Sequence, residues 1–341
     1  MPSTATTEAP SAPSTSEPAK PSRAGEVGAR RAGRAWAWLR VLSGVAVLVF
    51  LLWHVGTGPF QHGVRSVSAG ALAFAFVIGA ISTVCCAWRW QLVADGLGVR
   101  LPLGPAVAAY YRSTFLNVTL PGGVVGDVHR AVRHGLDIGD VRLGVRAVVL
   151  ERLAGSVVQI ALSVLVFATF PSPVRAYMPL AVAGLIAAIV AVVLIARAVR
   201  ADLRRAVLSR RRWIGVVGST GIVLGGHIAT FVVAARTAGS TLALPRLVPL
   251  VLLALLAMVL PLNIAGWGPR EGVAAWAFAA AGLTATQGVA ASVTYGVLVF
   301  AASLPGAAVL LSRWIRRTFH RSADQTSMPP VRAFGVGDAH G

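Results

Sequence analysis

Residues 213–235 read WIGVVGSTGIVLGGHIATFVVAA, 23 consecutive positions without a Lys, Arg, Asp or Glu. About 20 such residues let a helix cross ~30 Å of hydrocarbon, and comparable runs recur along the chain. Charged residues make up only 13% of the 341 positions and hydrophobic ones 56%. A soluble domain carries roughly 25% charge, so the chain is read as an all-α polytopic membrane protein. Its apolar surface then faces lipid and neighbouring helices rather than enclosing a water-excluding core.

Runs of this length place six full spans, at about 36–56, 68–88, 151–171, 178–197, 213–235 and 286–311. Residues 1–35 and 315–341 are polar, without apolar periodicity, and read as disordered tails flanking a transmembrane domain at 36–314. The net charge of +19 would suggest nucleic acid in a soluble protein. Here the positions of the bases argue against that partner. Twenty-five of the 31 Lys and Arg fall in the tails and on one set of connections, against four (Arg65, Arg175, Arg236, Arg246) on the other. By the positive-inside rule both termini are cytoplasmic and the chain belongs in the cell membrane. Trp36, Trp38, Trp53, Trp88, Trp90, Trp213 and Trp314 sit at proposed span ends, where amphipathic rings collect. The Arg-rich stretch 197–212 reads equally as a helix lying on the anionic inner leaflet or as a solvated topology signal.

Two apolar segments, about 103–135 and 247–282, are interrupted. The first breaks at Leu120-Pro121-Gly122-Gly123 and runs on to Asp127 and Arg130; the second breaks at Leu260-Pro261 and runs through Asn263 to Arg270 and Glu271. The two prolines lie 140 residues apart. With the termini on one side, the first segment must enter and leave from the cytoplasm and the second from outside. Both are therefore re-entrant helical hairpins. The halves, about 36–171 and 178–311, each read as two spans, a hairpin and a span, an inverted repeat whose breaks mark a substrate site.

Of twelve acids, only Asp127, Glu151 and Glu271 fall at membrane depth away from tails and polar loops. Such charges are costly unless paired or hydrated, which makes them candidates for function. Each has a base close by in sequence: Arg130, Arg152 and Arg270. The alternative is that the pairs merely neutralise one another and fix the packing. Pro121 and Pro261 end a helix by removing a backbone donor, and Gly122, Gly126, Gly266 and Gly268 let the chain turn and expose amides. A helix that starts beyond such a break points its positive N-terminus into the site. Asn117 and Asn263 can donate and accept there. His227, in mid-span, reads as a proton relay or, more simply, as a neutral histidine bonded to a neighbour. Adjacent Cys85 and Cys86 imply no disulfide framework. No metal-ligand spacing, cofactor motif or nucleophile elbow is present, so the chain reads as a non-enzyme without a cofactor. Nothing sets its oligomeric state.

The combination N-x-x-L-P-G-G-x-x-G-D-x-x-R at 117–130, E-R at 151–152 and P-L-N-I-A-G-W-G-P-R-E at 261–271 resembles the transmembrane region of lysylphosphatidylglycerol synthase, a flippase-like membrane family. The resemblance covers roughly residues 36–315. It implies handling of membrane lipids, such as aminoacylated phospholipids or isoprenoid-linked glycolipids. The positions it marks are Asn117, Pro121, Gly122, Gly126, Asp127, Arg130, Glu151, Arg152, Gly266, Gly268, Arg270 and Glu271. In the full-length synthase a soluble aminoacyl-transferase domain follows, and this chain is too short beyond residue 315 to hold one, so lysylation by this chain is not expected. Two functions are left in view: translocation of a lipid with a charged headgroup, or a non-transporting module that presents lipid to a partner enzyme.

Overall fold

The computed structural model describes residues 49, 53, 56–65, 67–120, 123–170, 209–258 and 267–312. The spans expected at 36–56 and 178–197, most of the Arg-rich stretch, both tails, and Pro121, Gly122, Pro261, Asn263 and Gly266 lie outside the described residues, apart from isolated positions at 49, 53 and 56. The elements described are helical: α1 (Gly58–Arg65), α2 (Ala69–Gly96), α3 (Leu103–Thr119), α4 (Val125–Asp137), α5 (Val141–Thr169), α6 (Arg210–Thr237), α7 (Leu244–Ala257), α8 (Pro269–Ala280) and α9 (Ala285–Ser303).

Among the described residues four helices are long and apolar enough to cross a membrane: α2, α5, α6, and α9 with its continuation to Ser312. Each has 28 or 29 residues, which at 1.5 Å per residue is about 42 Å, more than the hydrocarbon thickness. Local chemistry sets their starts. Ser68 accepts from the Ala71 N–H, Asp140 from Leu143, and Thr284 from Gln287, whose own side chain bonds back to the Thr284 N–H. Two of the helices overrun the sequence reading. The span expected to end at residue 88 continues to Gly96, and the one expected to start at 151 begins at Val141. By sequence these ends fall beside Arg89 and at Glu151, but the two charges pair with each other inside the protein, so neither stops its helix.

The interrupted segments are two helices each. α3 packs on α4 and α7 on α8. Their lengths of 17, 13, 14 and 12 residues correspond to about 18–26 Å, each short of ~30 Å. α3 ends at Thr119 and α4 starts at Val125; α7 ends at Ala257 and α8 starts at Pro269. Gly126 has a packing reason beyond the turn. A Cβ there would lie 2.0 Å from the Ser113 carbonyl oxygen, so α4 presses directly on the α3 backbone.

Among the described residues the two largest apolar clusters hold the helices together. One joins α2, α5, α6, α7, α8 and α9 around Phe231, Leu250, Leu252, Phe278 and Leu298. The other joins α2, α3, α4 and α5 around Trp90, Ala106, Tyr110, Ala131 and Val148. α1 was not foreseen, being only eight residues in a connection. It packs on α9, where Thr294 Oγ1 donates to the Gly63 carbonyl at 2.8 Å.

Candidate functional site

Two charged clusters form at the two interrupted segments. The first is centred on Glu151, whose side chain is 0% exposed. Its Oε1 accepts from Arg89 Nε at 2.8 Å, from Arg89 Nη2, and from the Tyr110 hydroxyl at 3.1 Å; Oε2 accepts from Arg130 Nη2 at 3.0 Å. Arg89 Nη1 also reaches Thr220 Oγ1 at 3.1 Å. One carboxylate thus ties α2, α3, α4 and α5 together and, through Arg89, α6. The Arg130 guanidinium lies 4.5 Å from the Trp90 ring centre and 4.2 Å from that of Tyr110, a cation held by two π faces.

Asp127 stands at the edge of this cluster in the first turn of α4. It accepts from Ser113 Oγ at 2.9 Å, Asn117 Nδ2 at 3.0 Å, Arg130 Nη2 at 3.2 Å and Arg152 Nη2 at 2.6 Å. Arg152 is the outermost member, its side chain 46% exposed against 14% for Asp127. The adjacency of Glu151 and Arg152 in sequence does not make them partners. Neighbours on a helix point about 100° apart, and Arg152 turns to Asp127 while Glu151 turns inward to Arg89 and Arg130. The cluster sets three guanidiniums, Arg89, Arg130 and Arg152, against two carboxylates.

The second cluster is a closed neutral pair. Glu271, 0% exposed, accepts from Arg270 Nε at 3.0 Å, from Arg270 Nη2, from Ser292 Oγ at 3.0 Å and from the Gly268 N–H at 2.7 Å. The last bond is the acid at the third position of α8 reaching back to its N-cap. Gly268 has φ of 112°, a conformation open to glycine. Arg270 sits over Tyr295 at 4.9 Å and Trp267 at 5.3 Å. Gly296 makes room for it: a Cβ there would be 2.6 Å from Arg270 Nη2.

The structure therefore brings Asn117, Gly126, Asp127, Arg130, Glu151 and Arg152 into one cluster and Gly268, Arg270 and Glu271 into another. Among the described residues, no hydrogen bond or ion pair of Asp127 or Glu271 reaches the opposite hairpin. The helix N-termini at the breaks are also occupied. The Gly126 N–H goes to Asn117 Oδ1 at 2.7 Å and the Gly268 N–H to Glu271. Among the described residues no group of three or more His, Cys, Asp or Glu forms a metal site.

Several members escaped the sequence reading. By sequence Arg89 is one of the cytoplasmic-side bases and Trp90 an interface ring, yet both are buried in the first cluster. The signal was an arginine within 62 residues of an equally misplaced acid, with nothing in the linear sequence to join them. Ser113, Tyr110, Thr220 and Ser292 are ordinary helix residues by sequence.

A family model described as the lysylphosphatidylglycerol synthase TM region matches residues 37–306. No curated protein matches the chain.

Proposed function

The chain belongs to the lysylphosphatidylglycerol synthase transmembrane-region family of multi-pass membrane proteins tied to lipid modification or transport, and from that premise we propose that it binds the anionic headgroup of a membrane lipid and moves it across the bilayer. One observation carries this reading. Three guanidiniums face two carboxylates at the first break, and the outermost, Arg152, is about half exposed. A half-exposed guanidinium in a membrane helix is costly in hydrocarbon and calls for water or a headgroup beside it. Arginine suits phosphate because its planar fork can bond two oxygens. Asp127 pairs with Arg152, and the phosphate of a bound headgroup takes its place there.

The helix α4 supports the re-entrant arrangement. Val125, Val128, Val132 and Leu136 point outward with His129 and Asp137 among them, while Arg130, Ala131 and His134 are buried. Its largest apolar side chains thus face outward and Arg130 inward, which suits a short helix whose outer face meets lipid. On the same reading six spans and two hairpins form an inverted repeat with both termini in the cytoplasm, supplying alternating access. Tags at either terminus or near Arg205 are expected to be cytoplasmic, and tags near Arg65 and Arg175 external. Cysteine-accessibility mapping that put the termini on opposite faces would overturn this arrangement. We assign the chain no catalytic step, cofactor or metal.

The function is tested with purified protein in liposomes carrying labelled lipids. Asp127→Asn keeps the shape, and its amide can still accept from Asn117 while donating to the Ser113 hydroxyl, but it leaves Arg152 without its counterion. Anionic lipid then binds more tightly and leaves more slowly. Movement is expected to fall at least about tenfold, the equivalent of ~1.4 kcal/mol, with little change in the folded amount. Folded wild-type protein that moves no lipid class would favour the other role, a module presenting lipid to a partner enzyme.

A further inference from the structure

A cavity of about 90 Å³ is walled by α2, α3, α6 and α9. It has room for several waters, each of which needs ~10–15 Å³ of such space. Water also needs polar partners, and the walls supply them. The Thr83, Thr230 and Ser303 hydroxyls each donate to a carbonyl of their own helix, at 2.8, 2.9 and 2.7 Å, which leaves their oxygens free to accept. Half-buried His227 lines the same space. It is ten residues from the end of α6 at Thr237, about 15 Å along the helix and half the hydrocarbon thickness. Its Nδ1 is 2.8 Å from the Tyr295 hydroxyl. Its Nε2 has no protein partner among the described residues.

The bond from His227 to Tyr295 repeats, with different chemistry, the join at the first cluster. There Arg89 of α2 bonds Glu151 of α5, and Glu151 in turn holds Arg130 of α4. Here His227 of α6 bonds Tyr295 of α9, whose ring centre lies 4.9 Å from the Arg270 guanidinium of α8. In both, one long helix grips a second, which meets the arginine that follows a break. The first join uses a permanent cation. The second uses histidine, whose charge ordinarily changes between about pH 5 and 8. A hydronium that gives its proton to the ring becomes water and makes both nitrogens donors, Nδ1 toward the Tyr295 oxygen. Tyr295 must then turn its own proton away, with one cation at its hydroxyl and another, Arg270, on its ring. The surrounding ionisable groups do not cancel that charge. Tyr110, Tyr111 and Cys86 line the same cavity, and no Asp, Glu, Lys or Arg does. Arg89 of α2 and Glu151 of α5 take each other, as do Arg270 and Glu271 of α8, and Arg246 is exposed at the start of α7.

We propose that His227 is a proton-binding site fed by water in this cavity, and that its proton acts on α8 through Tyr295 and Arg270 to drive lipid movement. The coupling to lipid rests on the reading above; the proton site and its effect on α8 do not. With the proton bound, like charges flank Tyr295 and α9 loosens its hold on the start of α8. With the proton gone, Tyr295 bonds His227 again and its ring closes over the neutral Arg270–Glu271 pair. Tyr295 is the positioning residue that carries the change.

Acid–base titration of the full-length protein in unbuffered detergent, between about pH 8 and 5, tests the site itself. Wild type is expected to take up about one proton more than His227→Gln, whose amide can still bond Tyr295. Ala275→Cys, in protein carrying Cys85→Ala and Cys86→Ala, reports on α8, because Ala275 is buried against Val289 and Val293 of α9. Its alkylation rate is divided at each pH by that of the same thiol in the His227→Gln background, which cancels the thiol's own ionisation. That ratio is expected to rise about tenfold at the acid end, equivalent to ~1.4 kcal/mol. Tyr295→Phe keeps a ring on Arg270 but cuts the link, so it should take up the proton without the rise. In liposomes carrying labelled lipids, an imposed proton gradient should speed lipid movement by the wild type about tenfold and leave the rate of His227→Gln unchanged. Equal proton uptake by wild type and His227→Gln would overturn the proton site and leave lipid handling standing. Uptake without the thiol response would overturn the route through Tyr295. Lipid movement indifferent to the gradient would overturn the coupling. Protein that takes up the proton and responds at α8 but moves no lipid class would overturn the lipid reading, and the coupling with it, while the proton site stands.

Discussion

Glu151→Gln is expected to remove most of the folded protein from the membrane. The carboxylate serves Arg89, Arg130 and Tyr110 at once, with no exposed surface. Glutamine has the same shape but only one acceptor. If its oxygen takes one guanidinium, its NH₂ group faces the other, donor against donor. Three guanidiniums would then face a single carboxylate in a water-poor interior. Breaking one buried ion pair by removing a partner costs roughly 3–5 kcal/mol, and here two pairs lose their acid together. Folded yield after detergent extraction and the thermal midpoint of what remains measure the effect. Glu151→Asp, which keeps the charge on a shorter stem, should recover part of the yield. If Glu151→Gln were as abundant and heat-stable as the wild type while lipid movement vanished, Glu151 would belong to the transport step rather than to the framework.

Glu271→Gln is expected to be nearly as damaging, for a related reason that can be tested differently. Arg270 and Glu271 form a buried pair in which, among the described residues, neither side chain has a competing ion. The acid also caps α8 through Gly268 and bonds Ser292. Its loss leaves Arg270 buried and uncompensated, again at a cost of roughly 3–5 kcal/mol. Because the pair is neutral as a unit, removing both charges should be milder than removing one. The double variant Arg270→Met with Glu271→Gln is expected to be more heat-stable than Glu271→Gln alone, a coupling visible in a double-mutant cycle. Strict additivity of the two single changes would contradict the assignment of Glu271 as Arg270's counterion. Asp127 contrasts with both acids. It is partly exposed and shares Arg152 with solvent, so its replacement touches lipid movement before stability.

The membrane class and the two helix breaks were legible from one-dimensional features. Runs of uncharged residues report spanning helices because the bilayer fixes both the length and the absence of charge. Leu-Pro followed by glycine or asparagine reports a break because proline removes a donor wherever it stands. The candidate acids were also legible, since an acid in an apolar run has few bland explanations. Pairing was not. Arg89 looked like a span-end charge because a positive residue flanked by tryptophans at the end of an apolar run usually is one. Its role depends on Glu151, 62 residues away. Likewise the local neighbours Glu151 and Arg152 part company because a helix turns them to different faces.

The sequence by itself determined that the chain is a helical membrane protein, where its apolar segments are interrupted, and which three acids stand out. Those properties follow from solvent and backbone chemistry, which act on each stretch separately. Only the tertiary structure decided which cation meets which acid, that the two interrupted segments carry two separate clusters, and that α4 turns its valines outward and Arg130 inward. An amphipathic pattern fixes two faces of a helix but not which of them meets lipid. That choice falls to the partners across the interface: Glu151, Trp90 and Tyr110, which give Arg130 an ion pair and two aromatic faces that lipid does not offer.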